Sequence, residues 1–268
     1  MADLRVGLIG HGAVGRRVAE LVADGAAGSA RIVGVLVRDP QGGDSHRARQ
    51  PAPFVGTAAD LIALRPDVVV EAAGHDALRT YVPPILEAGI EVLAISVGAL
   101  ADDATLQEIS AAAERGGTRL RVPSGAIAAL DGISAAAVGR VERVVHTVRK
   151  PPATLLPPAE AEAVMASGRE RELFAGPARE AAQRFPANVN VVAAVSLAGI
   201  GVDRTEARVV ADPGVTRNTH EVEVEGAFGR LTVRIENVPS DNPKTGLIVA
   251  QSIVRTLRAY GEKIVVGS

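Results

Sequence analysis

Over the first 125 residues, short apolar runs alternate with amphipathic stretches. "LRVGLIG" (4–10) is an apolar run closed by glycine, after which Val14, Val18, Leu21 and Val22 recur at helical spacing until "ADG" ends the pattern. "RIVGVLV" (31–37), "DVVVEAA" (67–73), "EVLAISVGAL" and "TRLRVPSG" predict four further strands. Helices are predicted over "AADLIALR" (58–65), "HDALRTYVPPILEAG" and "DDATLQEISAAAERG". In the last of these Asp102 or Asp103 supplies the cap, and Leu106, Ile109 and Ala113 face inward. Strands apolar on both faces, separated by helices, predict a parallel sheet covered on both sides.

The rhythm changes after "PSGAIAALDGISAAAVG". "VERVVHTVRK" (141–150) reads as a strand and "PPATLLPP" as a proline-rich loop. "PAREAAQRF" and "NVNVVAAVSLAGIG" read as helices, followed by three strands, "TEARVVAD", "HEVEVEG" and "RLTVRIENV", the last two forming a hairpin. In "NTHEVEVEG", Glu221, Glu223 and Glu225 point one way and His220, Val222 and Val224 the other. A final helix is predicted over "NPKTGLIVAQSIVRTLRAYG", with proline suiting its start and Leu247, Val249, Ile253, Val254 and Leu257 apolar. The predicted fold is α/β: a Rossmann-type doubly wound parallel sheet plus an α+β substrate and oligomerisation domain. The expected limits are 1–125 for the dinucleotide-binding domain, 126–239 for the catalytic domain, and 240–268 for a C-terminal helix returning to the first.

Aromatics are only 2% of the 268 residues, so Ala, Val, Leu and Ile must fill the cores. A net charge of −2, with both signs interspersed, gives no reason to expect nucleic acid or a membrane surface as partner. The absence of cysteine removes thiolate nucleophiles, disulfides and most structural zinc sites, and fits a reducing compartment. No segment approaches the roughly 18 apolar residues of a membrane span. "MADLRVGLIG" lacks the pattern of a secretory signal, so a cytoplasmic location is expected.

Doubly wound sheets bind ligands beyond the carboxyl ends of their strands. At the first exit Gly10, Gly12 and Gly15 form G-x-G-x-x-G between strand and helix. Gly10 allows the tight turn, Gly12 lets backbone approach a pyrophosphate, and Gly15 lets helix pack on strand. The N–H groups at Ala13, Val14 and Gly15 then offer a helix N-terminus to phosphate. At the second exit stand Arg38, suited to a 2′-phosphate, and Asp39, suited to ribose hydroxyls; NAD is expected, with NADP tolerated. Gly74 and His75, at the third exit, are further cofactor contacts.

Of the five histidines, His11 is expected to point from the glycine loop to solvent, His46 sits in a polar loop, and His146 reads as an ordinary sheet residue. No pair has metal-ligand spacing, so no metal is expected. His220 stands apart. It lies on the apolar side of a strand in the substrate domain, and hydride chemistry at an amine needs a proton acceptor near neutral pH, which imidazole supplies.

"GLIGHGAVG", "VVVEAAGHDAL", "VLAISVGAL", "VPSGAIAALDGISAA", "RKPP", "ANVNVVAAVSLAGIGVDRT", "ADPGVTRNTHEVEVEGAFG" and "NPKTG", in that order, resemble the L-aspartate dehydrogenase family through essentially the whole chain. The resemblance implies oxidative deamination of L-aspartate with NAD or NADP. The product is iminosuccinate, which hydrolyses to oxaloacetate and ammonia or enters NAD biosynthesis. It places the catalytic histidine at His220 and two further cofactor contacts at Ala126 and Asn190. The chain departs from the family around residues 38–50, and "NPKTG" has glycine where serine is expected.

The mechanism expected from both readings sets nicotinamide beside "SVGA" and "PSGA", with His220 as acid/base. Lys244, Thr245, Asn218 and Lys150 would hold the substrate carboxylates, since unpaired buried charge is costly. A homodimer or higher homo-oligomer is expected. The alternatives are a related reductase of another small dicarboxylate or cyclic imine, such as the dihydrodipicolinate reductases, and a dinucleotide-binding sensor without turnover.

Overall fold

A computed structural model of the chain describes residues 3–42, 52–185, 189–239 and 246–267. It divides into two compact units, Met1–Gly125 with Val249–Ser268, and Ala126–Ile248.

The first unit holds a parallel sheet of β1 (Arg5–Ile9), β2 (Arg31–Leu36), β3 (Phe54–Val55), β4 (Val68–Glu71), β5 (Glu91–Ala94) and β6 (Leu120–Arg121), in the order β3-β2-β1-β4-β5-β6. The helices between them are α1 (Ala13–Ala23), α2 (Ala58–Ala63), α3 (His75–Glu87) and α4 (Asp103–Gly116). The order reverses between β1 and β4, which opens a ligand crevice where their carboxyl ends diverge. On one face Val6 and Leu8 of β1, Val35 of β2 and Val68 and Val70 of β4 pack against Val18 and Val22 of α1. Ala250, Ile253, Val254 and Leu257, from the far end of the chain, complete that same core. Asp102, rather than Asp103, caps α4, its carboxylate accepting from the Thr105 N–H at 2.9 Å. Ile109 and Ala112 are the residues α4 buries most deeply, while Leu106 and Ala113 are half-buried.

The second unit carries a mixed sheet of β7 (Val141–Lys150), β8 (Arg171–Pro177), β9 (Glu206–Ala211), β10 (Asn218–Gly226) and β11 (Gly229–Asn237), ordered β11-β10-β7-β9-β8. β7 and β9 run parallel, and the other pairs are antiparallel. The helices are α5 (Leu130–Ala137), α6 (Pro158–Ser167), α7 (Ala178–Arg184) and α8 (Val189–Ala198). Val144 of β7 and Val222 and Val224 of β10 pack with Ile133 of α5 and Val195 of α8. Val148, Val209, Ala181 and Val192 build the adjoining core. The glutamates that alternate with these valines are ion-paired on the opposite face: Glu221 with Arg149 (2.9 Å) and Arg234 (2.6 Å), Glu223 with Arg230 (2.7 Å).

Several elements differ from expectation, α5 among them, since no element was predicted over 130–137. β3 is a two-residue strand, too short to leave a periodic signal. α6 and β8 occupy ground beyond the proline-rich "PPATLLPP"; Pro158 opens α6, where its missing N–H costs nothing. The last helix, α9 (Ile248–Ala259), starts later than predicted, because Gly246 is bridged to Pro239. Among the described residues, no helix is long and apolar enough to cross a membrane.

Candidate functional site

The first cluster of expected site residues forms where β1, β2 and β4 end. Gly10 has φ +92°, and a Cβ there would lie 2.7 Å from Ala73 Cβ. A Cβ on Gly15 would lie 2.2 Å from the Gly10 carbonyl oxygen, so α1 packs on its strand only because this residue has no side chain. Gly12 differs from both. Nothing lies within 4 Å of where its Cβ would be, and its φ of −77° is open to any residue. The space over Gly12 is therefore free for a ligand to approach the backbone. Gly12 is the N-cap of α1, which has no side-chain cap and no acidic residue in its first turn. The helix-terminal N–H groups and positive dipole end thus fit a pyrophosphate.

A cleft of about 640 Å³ opens over this turn, lined by Gly10, Gly12, Arg38, Asp39, Gly74 and His75 among others. That is the size range of a cofactor site. Of the remaining loop residues, Ala13 and Val14 are half-buried in the first turn of α1 and Gly15 is buried. Arg38 and Asp39 are exposed, and Asp39 Oδ1 accepts from the Gln41 N–H at 3.1 Å. His11 also lines the cleft, but its ring does not point to solvent. It packs edge-on against Phe54 with centroids 5.1 Å apart, a contact created by the unforeseen β3.

Glu71, the last residue of β4, carries no expectation from the sequence. It is fully buried, and its carboxylate accepts from the N–H groups of Ala73 (2.8 Å), Gly74 (3.0 Å) and Ser96 (3.1 Å) and from the Ser96 hydroxyl (2.9 Å). One side chain thereby ties the exit of β4 to the exit of β5. The available signal was an acid ending the otherwise apolar run "VVVE".

The second cluster lies in the second unit. In the antiparallel pairing of β7 with β10, His220 stands opposite Val148 and Val222 opposite His146, so both imidazoles fall on the core face, one step apart on the diagonal. His146 Nε2 and His220 Nδ1 are 3.0 Å apart, and each residue is 2% exposed. Burial pushes the His146 imidazole down to about 4. Burial, then the neighbouring His146 and the positive charge of Lys150, hold His220 well below its ordinary value. Both rings are therefore neutral near pH 7.

Asn218 Nδ2 lies 3.3 Å from His220 Nε2. The amide N–H donates to that nitrogen, which makes Nε2 the unprotonated one and places the proton of His220 on Nδ1, directed at His146. This interaction engages one of the two N–H groups of the amide expected to serve a substrate carboxylate. The Asn218 oxygen is buried without a partner among the described residues, and so is that of Asn237. The two residues stand directly opposite each other on β10 and β11. Asn237 Nδ2 donates to the Ala126 carbonyl at 3.1 Å, which anchors one of the residues assigned to the cofactor. Lys150, half-buried, ends β7 on the face shared by His146 and Val148. Asn190 is exposed on the first turn of α8. Lys244, Thr245 and His46 lie outside the described residues. Among the described residues, no group of three or more His, Asp or Glu is placed to hold a metal ion.

Residues 10–123 match the family model described as the NAD binding domain of homoserine dehydrogenase, and residues 131–260 match that of the aspartate dehydrogenase C-terminal domain. An L-aspartate dehydrogenase of Ruegeria pomeroyi is 43% identical over 273 residues, covering 97% of this chain and 94% of the relative. Another, from Methanosarcina barkeri, is 46% identical over 207 residues, covering 75% of this chain and 76% of the relative. Among solved structures, aspartate dehydrogenase from Thermotoga maritima superposes with a TM-score of 0.79 at 26% identity, covering 99% of this chain and 100% of that one. The glycine turn with its open Gly12 and the model over residues 10–123 agree on NAD or NADP as cofactor. With relatives above 40% identity spanning nearly its whole length, the chain belongs to the L-aspartate dehydrogenase family and is an NAD(P)-dependent amino-acid dehydrogenase.

Proposed function

We propose that the chain oxidises L-aspartate at Cα to iminosuccinate, with His220 as the general base. The observation that carries this reading is the neutral imidazole of His220, whose Nε2 is the proton-accepting atom and lies at the strand end bearing Asn218. Gly10, Gly12, Ala13, Val14 and Gly15 would hold the pyrophosphate, Arg38 and Asp39 the adenosine ribose, and Gly74, His75, Ala126 and Asn190 the rest of the cofactor. When bound, NAD or NADP supplies the acceptor for the hydride that leaves Cα.

His220 Nε2 takes one proton from the substrate ammonium, which frees the nitrogen lone pair to form the C=N bond as Cα–H departs with its electron pair. Lys150, Lys244 and Thr245 would bind the two carboxylates. The unpartnered oxygens of Asn218 and Asn237 suit the amino group instead, because they accept hydrogen bonds where a carboxylate would need donors. Iminosuccinate then hydrolyses to oxaloacetate and ammonia or passes into NAD biosynthesis, in a cytoplasmic homo-oligomer.

The test is a spectrophotometric screen of the twenty amino acids with NAD⁺ and NADP⁺. L-Aspartate should be the one substrate oxidised efficiently, and His220→Ala should lower its turnover by roughly 10²–10⁴, the usual scale of acid–base catalysis. Oxidation of another amino acid in preference to aspartate, or near-normal turnover in His220→Ala, would overturn the assignment.

A further inference from the structure

We propose that His146 is a positioning residue for the reaction: by accepting the Nδ1–H of His220 it fixes that ring in the tautomer whose unprotonated Nε2 can take the substrate's proton. This rests on the reading of His220 as the base.

Two neutral imidazoles can share a hydrogen bond only if one nitrogen of the facing pair carries a proton and the other does not. Of the two arrangements open to Nε2 of His146 and Nδ1 of His220, the Asn218 amide selects one, since its N–H already occupies the lone pair of His220 Nε2. His146 must then be the acceptor, protonated on its own Nδ1. The same geometry serves the charged state. Once His220 has gained a proton at Nε2, its Nδ1–H still points at the His146 lone pair, so the ring itself keeps its place as charge develops, and only the Asn218 N–H has to turn from the new Nε2–H. A carboxylate in that place would favour the charged form of His220. A neutral acceptor orients the ring without doing so. The beds of the two rings are also fixed: Val148 and Val222 flank them on the same sheet face, and the small cavity beside His146, about 10 Å³, is lined by Ala181, Phe185 and Val192. That space has room for about one water at most.

The experiment compares the full chain with His146→Gln and His146→Phe. Glutamine can accept from Nδ1–H through its amide oxygen; phenylalanine keeps the volume and cannot accept. We expect His146→Phe to lower kcat for aspartate at least about tenfold with KM for aspartate and cofactor within about twofold, and His146→Gln to retain most of the activity. ¹⁵N-histidine NMR of the resting protein should show His220 protonated at Nδ1 alone in the wild type and a mixture of tautomers in His146→Phe. Wild-type kcat in His146→Phe, equal loss in both variants, or a wild-type His220 protonated at Nε2 overturns the proposal. The NMR arm needs no turnover. If His220→Ala remains active, the base assignment fails by itself, and the tautomer measurement still decides whether His146 orients the ring.

Discussion

His220 and His146 together make a prediction about stability. In the unfolded chain both protonate near 6.5, whereas in the fold His146 does so only at about 4 and His220 is likewise depressed. Between those values the unfolded state binds more protons, so stability rises with pH there and is lost as pH falls from 6.5 towards 4. For His146 the loss is roughly 3 kcal/mol by pH 4, with His220 adding in the same direction. Urea unfolding at pH 7.5 and pH 5 should show the decline, and His146→Phe should flatten it; identical pH slopes for the two proteins would contradict the neutral pair. At this scale the sequence was half legible. His220 stands out because it takes a valine's place in a clean alternation, but His146 sits in the same kind of alternation in "VERVVHTV" and looks ordinary there. Its partnership is a matter of register between strands more than seventy positions apart, and no local pattern encodes register of that kind. Glu71 was invisible for a related reason: its four hydrogen bonds come from two different loops.

At the scale of elements, the glycine turn separates folding from binding. Ala at Gly15 would meet the Gly10 carbonyl at 2.2 Å, and the conflict should cost about 1–3 kcal/mol or more through displacement of α1. Ala at Gly12 meets nothing, so Gly12→Ala should keep its stability within about 0.5 kcal/mol. It should nevertheless weaken NAD(H) at least about tenfold, because the methyl would fill the space proposed for the pyrophosphate. Thermal melts paired with a cofactor titration check both halves, and full affinity in Gly12→Ala would move the phosphates elsewhere. The parallel sheet and its helices were readable because buried strands and amphipathic helices have distinct periods. What escaped was short or proline-flanked. β3 has two residues, and α6 begins on a proline at the end of a run that looks like loop. α9 was placed too early because its opening proline resembled a helix start, whereas a bridge between Gly246 and Pro239 defers the helix to Ile248.

At the scale of the molecule, the nucleotide unit is built from two stretches of chain with the whole second unit between them. Ile253, fully buried in the core formed by β1, β4 and α1, should cost about 2–5 kcal/mol when changed to alanine. That loss should appear as weakened NAD(H) binding and a lower melting temperature for the first unit, with the second unit's His146–His220 NMR signals unchanged. Disturbance of those signals instead would place α9 in the other core. The apolar stripe of α9 was legible from its spacing, and the glycine loop told what the first unit binds; the polar end of the second sheet depended on side chains that only tertiary pairing brings together.

Because α9 supplies one wall of the first core, the order in which a ribosome delivers the polypeptide is the reverse of the order in which it can be finished. The segment from Ala126 to Ile248 emerges as an unbroken stretch and can settle while translation continues, whereas the glycine-loop unit, though made first, must wait with an exposed apolar face for the last helix to arrive.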